Sequence, residues 1–259
     1  MGIVNATPDS FSGDGLVDPD AAIARALSFA GGAADIVDVG AESTRPGSVP
    51  VPADEEIRRL LPVVRGIRER SPDAIVSIDT YKSEVFAAAH AAGGDLLNCP
   101  SGLGDELLAA AVACAVPVVI MHNKNVAVYA GDVVDEVLAF LEAQATRAVR
   151  AGIPEASVIL DPGIGFGKTP EHNLAILGAL ARFPRLGFPT LLGTSRKSTL
   201  GRLTGRAVAE RAFATAATVA LAVAAKIDIV RVHDPADMSD VARVSDAVVR
   251  GWRPDGWEA

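Results

Sequence analysis

The chain is poor in cysteine, in net positive charge and in long unbroken apolar runs, and each shortage excludes a class of protein. Cys99 and Cys114 are the only cysteines in 259 residues, too few to staple a disulfide scaffold. No basic segment followed by an apolar one opens the chain, so a cytoplasmic location is expected rather than export. The most apolar segment, residues 212–225, runs for 14 residues and carries Thr215 and Thr218. A bilayer crossing takes roughly 20 apolar residues, so no membrane span is expected and the segment reads as a buried helix. Asp and Glu outnumber Lys and Arg by 32 to 24, a formal net charge of −8, which opposes nonspecific attraction to nucleic acid or to an anionic membrane surface. A basic pocket inside this acidic whole would hold a small anion. No His/Cys/Asp cluster has the spacing of a zinc site, and no linker or low-complexity tract divides the sequence.

What is present is apolar material in a regular rhythm. Hydrophobic residues make up 49% and charged ones 22%, ample for a core and too little charge for disorder. Short β-branched runs recur at residues 3–5, 35–39, 75–79, 96–98, 117–121, 158–161, 190–193 and 227–233. Between them the period changes to that of a helix. Asp18-Pro19 reads as an N-cap and first helical residue, and Gly31-Gly32 as the stop. Val134, Val137, Leu138, Leu141, Ala145 and Val149 keep helical spacing ahead of Gly152. Eight strand-then-helix units in about 250 residues is the arithmetic of a closed parallel barrel. The expected fold is therefore α/β, a single (β/α)8 TIM barrel forming one domain over residues 1–259.

In such a barrel the chemistry lies at the C-terminal ends of the strands. There the runs end in Asn5, Glu42 to Arg45, Asp79, Asn98, His122, Asp161, Ser195 to Lys197, and Arg231 with His233. Any one of these is an ordinary cap or turn residue; together they suggest a site. Asp79 and Asp161 follow apolar strands and need cationic or donor-rich partners at a low-dielectric rim. Lys197 and Arg231 could be internal counter-ions. Alternatively, a ligand with N–H donors on one edge and phosphate on another would satisfy both signs. Arg231 and His233 alternate on the last strand and can hold an anion between them. The segment 163–169 ends in Gly-Lys-Thr like a nucleotide P-loop, but Pro162 stands where that motif needs glycine. It reads as a glycine-permitted loop that carries Phe166 into the mouth and leads into a helix at Thr169. His90 and His172 read as core or helix-surface histidines.

Six motifs in order resemble the dihydropteroate synthase family of pterin-binding barrel enzymes: M-G-I-V-N-A-T-P-D-S-F-S (1–12), E-S-T-R-P-G (42–47), S-I-D-T (77–80), D-P-G-I-G-F-G-K-T (161–169), S-R-K-S (195–198) and R-V-H-D (231–234). The resemblance implies condensation of 6-hydroxymethyl-7,8-dihydropterin diphosphate with 4-aminobenzoate, giving 7,8-dihydropteroate and pyrophosphate with Mg²⁺. It further implies that Asp161, Asn98 and Asp79 take the N–H donors of the pterin edge and that Lys197 holds its carbonyl side. Asn5, Arg231 and His233 would hold the diphosphate, with Asn5 as the Mg²⁺ ligand. Thr44, Arg45 and Pro46 would close over the reacting centre, Phe166 and Lys197 would lie beside the benzoate ring, and Ser198 would meet its carboxylate. A homodimer through late helices is also implied.

The sequence departs from the family pattern at Cys99, Ala41, Gly13-Asp14 and a short fifth loop at 123–125, and it opens on the first strand without the few residues that plug the barrel bottom in the family. Two other readings are a methyltetrahydrofolate methyltransferase, which has no use for the 42–47 and 195–198 motifs, and a pterin-binding paralogue without turnover.

Overall fold

The alternation of apolar runs and helix-period segments becomes, among the described residues, eight strands and nine α-helices. A computed structural model describes residues 1–7, 15–16, 18–43, 49–124 and 126–257. In chain order the elements are β1 (Gly2–Asn5), α1 (Pro19–Ala30), β2 (Ile36–Gly40), α2 (Ala53–Arg70), β3 (Ile75–Asp79), α3 (Ser83–Ala91), β4 (Leu96–Cys99), α4 (Asp105–Cys114), β5 (Val118–Met121), α5 (Val133–Arg150), β6 (Val158–Asp161), α6 (Pro170–Gly178), β7 (Leu191–Leu192), α7 (Ser198–Thr204), α8 (Ala212–Ala224), β8 (Ile229–Val230) and α9 (Pro235–Val249). The predicted caps form. Asp18 accepts from the Asp20 N–H at 3.2 Å ahead of Pro19. Thr169 and His172 cap each other's backbone at 3.2 and 3.3 Å, a reciprocal pair in which a histidine stands where Glu or Gln is usual.

Strands β1 to β6 pair in parallel and in sequence order, and β7 pairs with β8. Single bridges join the two sheets, Leu160 with Thr190 on one side and Gly2 with Val232 on the other, so the ring closes. The last two strands are shorter than the sequence suggests. At the foot of β7 the Asp228 carboxylate, rather than a strand carbonyl, takes the Thr190 N–H at 2.8 Å.

Strand alternation divides the residues into two faces. Val4, Val37, Val39, Val76, Ile78, Leu97, Val118, Ile120, Val158, Leu160 and Leu192 pack outward in the main core with helix residues such as Leu60, Phe86, Leu141 and Ile176. The other parity lines the barrel. Met1, Leu96, Val119, Ile159 and Leu191 form a separate apolar cluster, and two residues further along several of those strands the interior turns polar.

One expectation is corrected. Helix α8 is not buried all round: Thr215, Thr218, Val219, Ala222 and Val223 face in, whereas Phe213 is 90% and Leu221 55% exposed. The inner face meets the polar turn after β7, where Thr218 Oγ1 lies 2.7 Å from Thr194 Oγ1 and Thr215 Oγ1 accepts from the Arg196 N–H at 3.1 Å. Two threonines therefore point inward beside Val219, Ala222 and Val223, and the apolar Phe213 and Leu221 are left outside.

Candidate active site

Strand register sets the first half of the site. Asn5, Gly40, Asp79 and Asn98 lie level on neighbouring strands β1 to β4. A Cβ at Gly40 would stand 3.3 Å from Asp79 Cβ, so glycine there keeps the carboxylate uncrowded. Two residues below Gly40 lies Asp38, wholly buried. It accepts from Ser77 Oγ at 2.5 Å, Asn98 Nδ2 at 3.0 Å and Arg231 Nε at 2.6 Å. Arg231 Nη2 also reaches Asp79 Oδ2 at 2.6 Å. The guanidinium is thus fixed between two carboxylates, an arrangement that matches its donor fork. The internal counter-ion reading of Arg231 holds in this respect, and its side chain is turned toward Asp38 and Asp79.

Asp79 remains incompletely satisfied, because its Oδ1 is buried without a hydrogen-bond partner. Burial pushes its carboxyl up to about 7; Arg231 pulls the value down and the Asp38 charge pushes it further up. Burial opposes the charge on Arg231 too, but Asp38 and Asp79 outweigh it and hold the guanidinium above its usual value. His233 is placed by the turn after β7: Ser195 Oγ lies 3.1 Å from its backbone N and 2.9 Å from Nδ1. Arg25 Nη2 donates to the His233 carbonyl at 3.1 Å. In the same turn Arg196 spends its charge locally on Asp234, at 3.0 and 2.5 Å.

The second half gathers around β6 and β7. Asp161 Oδ1 accepts from the Gly163 N–H at 2.7 Å; burial raises its carboxyl against the pull of Lys197. Burial also lowers the Lys197 ammonium to about 8, with Asp161 working the other way. Lys197 donates to the Ile164 carbonyl and its Nζ stands 4.5 Å from the centroid of the Phe166 ring. Ser198 is exposed as the first residue of α7.

The glycine loop supports that half. Gly163 has φ +69° and Gly167 φ +58°, and a Cβ would fall 2.0 Å from the His122 carbonyl oxygen and 2.2 Å from that of Lys124 respectively. Only glycine satisfies both the left-handed backbone and the close approach. Lys168 folds under the loop, with His122 Nδ1 at 2.9 Å and the carbonyls of His122, Gly163 and Phe166 at 3.2, 2.9 and 3.0 Å. Burial, then the Lys168 charge, pushes His122 down to about 4, so the ring is neutral and its Nδ1 accepts. The Tyr129 hydroxyl donates to the Gly167 carbonyl at 2.9 Å.

A third cluster flanks the β2–α2 connection. Lys82 Nζ reaches Glu42 at 2.5 Å, Glu56 at 2.6 Å and the Val51 carbonyl at 2.7 Å, and Thr80 Oγ1 donates to Glu56 at 2.8 Å. Thr44, Arg45 and Pro46 lie outside the described residues. Among the described residues no three His, Cys, Asp or Glu side chains converge as a metal site, and no helix is long and apolar enough to cross a membrane.

Asp38, Lys168 and the Lys82 cluster escaped the sequence reading. Asp38 had a usable signal: a carboxylate at the inward parity of an apolar strand must be paired. Lys168 and Lys82 had none, since their partners are backbone carbonyls or lie more than 20 residues away.

The pterin binding enzyme family matches residues 1–233. The dihydropteroate synthase of Synechocystis sp. is 40% identical over 98% of this chain and 90% of its own length. The crystal structure of the Clostridium difficile dihydropteroate synthase in the presence of pteroic acid superposes with a TM-score of 0.91 at 39% identity, covering 96% of each chain. The Xanthomonas albilineans enzyme with 4-aminobenzoic acid gives 0.90 at 40% identity, covering 98% of this chain and 93% of that one. With barrel, mouth and sequence all in agreement, the chain belongs to the dihydropteroate synthase family of pterin-binding enzymes.

Proposed function

We propose that this chain joins 6-hydroxymethyl-7,8-dihydropterin diphosphate to 4-aminobenzoate, releasing 7,8-dihydropteroate and pyrophosphate. What supports the reading most is Asp79 Oδ1, a buried acceptor with no donor of its own, level with Asn98 and in the same mouth as Asp161. A planar heterocycle with adjacent N–H groups supplies the missing donors. Lys197 serves the carbonyl side of that ring. Arg231 has Nη1 left over after its bonds to Asp38 and Asp79, and with His233 and Asn5 it faces the diphosphate.

The chemistry asked of these groups is modest. The bond from the exocyclic carbon to the diphosphate oxygen breaks with its electron pair leaving on diphosphate, and the pterin ring delocalises the positive charge. The arylamine nitrogen then bonds that carbon and gives up a proton to solvent. Arg231 and His233 neutralise the leaving group, Phe166 and Lys197 hold the benzoate ring, and Ser198 receives its carboxylate. Catalysis is thus positioning and charge stabilisation, with no strong base.

Among the described residues at the end of β1 the hard-oxygen donors are Asn5 and Thr7 Oγ1, the latter buried without a partner. This sparse set suits Mg²⁺, which keeps most of its waters and binds chiefly through substrate phosphates. When bound it would offset diphosphate charge, with Asn5 as the protein ligand.

Around the site we read one domain over residues 1–259, working in the cytoplasm. Exposed Phe213 and Leu221 on α8, with exposed Val244 and Val248 on α9, which packs against it, favour a homodimer through these late helices. The test is incubation with both substrates and Mg²⁺. Dihydropteroate and pyrophosphate should form in equal amounts and fall away with a chelator. Pyrophosphate release indifferent to the arylamine with no dihydropteroate formed would overturn the reading, and no release at all would favour a pterin binder without turnover.

A further inference from the structure

Lys168 is a cation at the mouth that the reaction does not use. It is half-buried in the loop it supports, and every acceptor it reaches among the described residues is neutral: one imidazole nitrogen and three backbone carbonyls. A poorly hydrated ammonium without a carboxylate partner is costly, and burial accordingly lowers it to about 7. The four acceptors belong to two connections. His122 opens the one after β5; Gly163 and Phe166 belong to the one after β6. Tyr129 makes a second tie between the same two connections through Gly167, and its ring packs on His122 and edge-on to His172. Through Phe166 the tie reaches Lys197, whose ammonium lies over the ring.

We propose that Lys168 is a positioning residue for the arylamine substrate: by binding the Gly163 and Phe166 carbonyls to His122 it fixes the Phe166 ring, and so the wall on which the aminobenzoate stacks. This rests on the synthase reading above. On the pterin side Asp79, Asn98 and Asp38 stand on strands that Lys168 does not touch, and Asp161 and Lys197 meet the loop at the Gly163 N–H and the Ile164 carbonyl rather than at the carbonyls Lys168 binds. The larger effect therefore falls on the arylamine side.

The test is a comparison of the two substrates in the Mg²⁺-loaded enzyme. Lys168→Met keeps the chain length and removes the donors. It should raise KM for 4-aminobenzoate by about ten-fold or more, while the calorimetric Kd for the pterin diphosphate stays within about two-fold. In a Phe166→Ala background the same change should add no more than about two-fold, because Lys168 acts through that ring. Equal losses on both substrates, or full additivity with Phe166→Ala, would show a merely structural lysine and overturn the proposal. If Lys168→Met does not fold, Tyr129→Phe decides, since it removes only the hydroxyl bond to Gly167. A one-sided rise in arylamine KM supports the tie, and an unchanged KM overturns it. A wild-type enzyme that makes no dihydropteroate overturns the synthase reading itself and takes this inference with it; an active wild type with symmetric variants overturns this inference alone.

Discussion

Arg231 from the end of the barrel and Asp79 from its third strand meet at 2.6 Å, and the same guanidinium holds Asp38. The cation proposed to face the diphosphate is therefore also the one that steadies the carboxylates proposed for the pterin side. On sequence alone, removing Arg231 is expected to leave a pterin lacking diphosphate nearly untouched. The geometry changes that expectation.

Arg231→Ala leaves two carboxylates at the mouth without their cation, a loss on the scale of about 3–5 kcal/mol for a buried pair broken on one side. The prediction is weaker binding of both the pterin diphosphate and the diphosphate-free pterin, with the larger loss for the former, and a lower denaturation midpoint. Paired calorimetric titrations of wild type and variant read this directly. A loss confined to the diphosphate ligand would mean that Asp38 and Asp79 hold their places without Arg231.

Asp79 makes stability depend on pH. Its carboxyl titrates at about 7 in the folded chain and in the ordinary carboxylate range when unfolded. Between those values the native state holds more protons, so the contribution is full below the unfolded pKa and is lost as pH rises through the folded one. The stability of wild type relative to Asp79→Asn should fall by about 1–3 kcal/mol between about pH 4 and pH 7. Urea unfolding of both proteins across that window is the measurement. A flat difference would mean that Arg231 keeps Asp79 ionised throughout.

Lys82 is the only cation on Glu42 and Glu56 among the described residues, and Glu56 is wholly buried. Burial works against the Lys82 charge, but the two glutamates prevail and lift it to about 12. Lys82→Met should cost about 3–5 kcal/mol of stability. Adding Glu56→Gln should return more than about 1 kcal/mol, because it removes one of the stranded charges. Strict additivity of the two changes in chemical denaturation would show that the groups do not couple.

Two glycines of the same region should part company. Gly163→Ala meets both a positive φ and the His122 carbonyl, and should cost about 2–4 kcal/mol. Gly178→Ala, at the end of α6 with nothing within 4 Å of the added methyl, should stay within about 0.5 kcal/mol of wild type or gain slightly. Similar melting shifts for the two would contradict the close packing of the 163–167 loop.

The strand-and-helix rhythm was legible because each strand carries its β-branched run and each helix its own period, and local signals such as Asp18-Pro19 and Thr169 mark real caps. The polar strand ends were legible for the same reason: Asp79, Asn98, Asp161 and Arg231 fall at the inward parity of their runs. What stayed hidden was pairing. Nothing near Arg231 in the chain names Asp38, 193 positions away, as its partner, and Lys168 looks like a motif remnant until the backbone carbonyls around it are seen. The exposed face of α8 was masked by composition, since an apolar segment reads as buried unless the threonines are known to have inward partners.

The single bridges that join β7–β8 to the other six strands carry a consequence for how the mouth comes into being. The three acids, Asp38, Asp79 and Asp161, all stand on the six-stranded sheet, whereas Lys197 and Arg231 arrive with the last quarter of the chain. A ring open at those two joints would hold surplus negative charge in a hollow and lack the counterweight. Ring closure thus brings two cations to three acids, and the attraction that helps draw the final quarter into place comes from the same side chains that would face an anionic substrate.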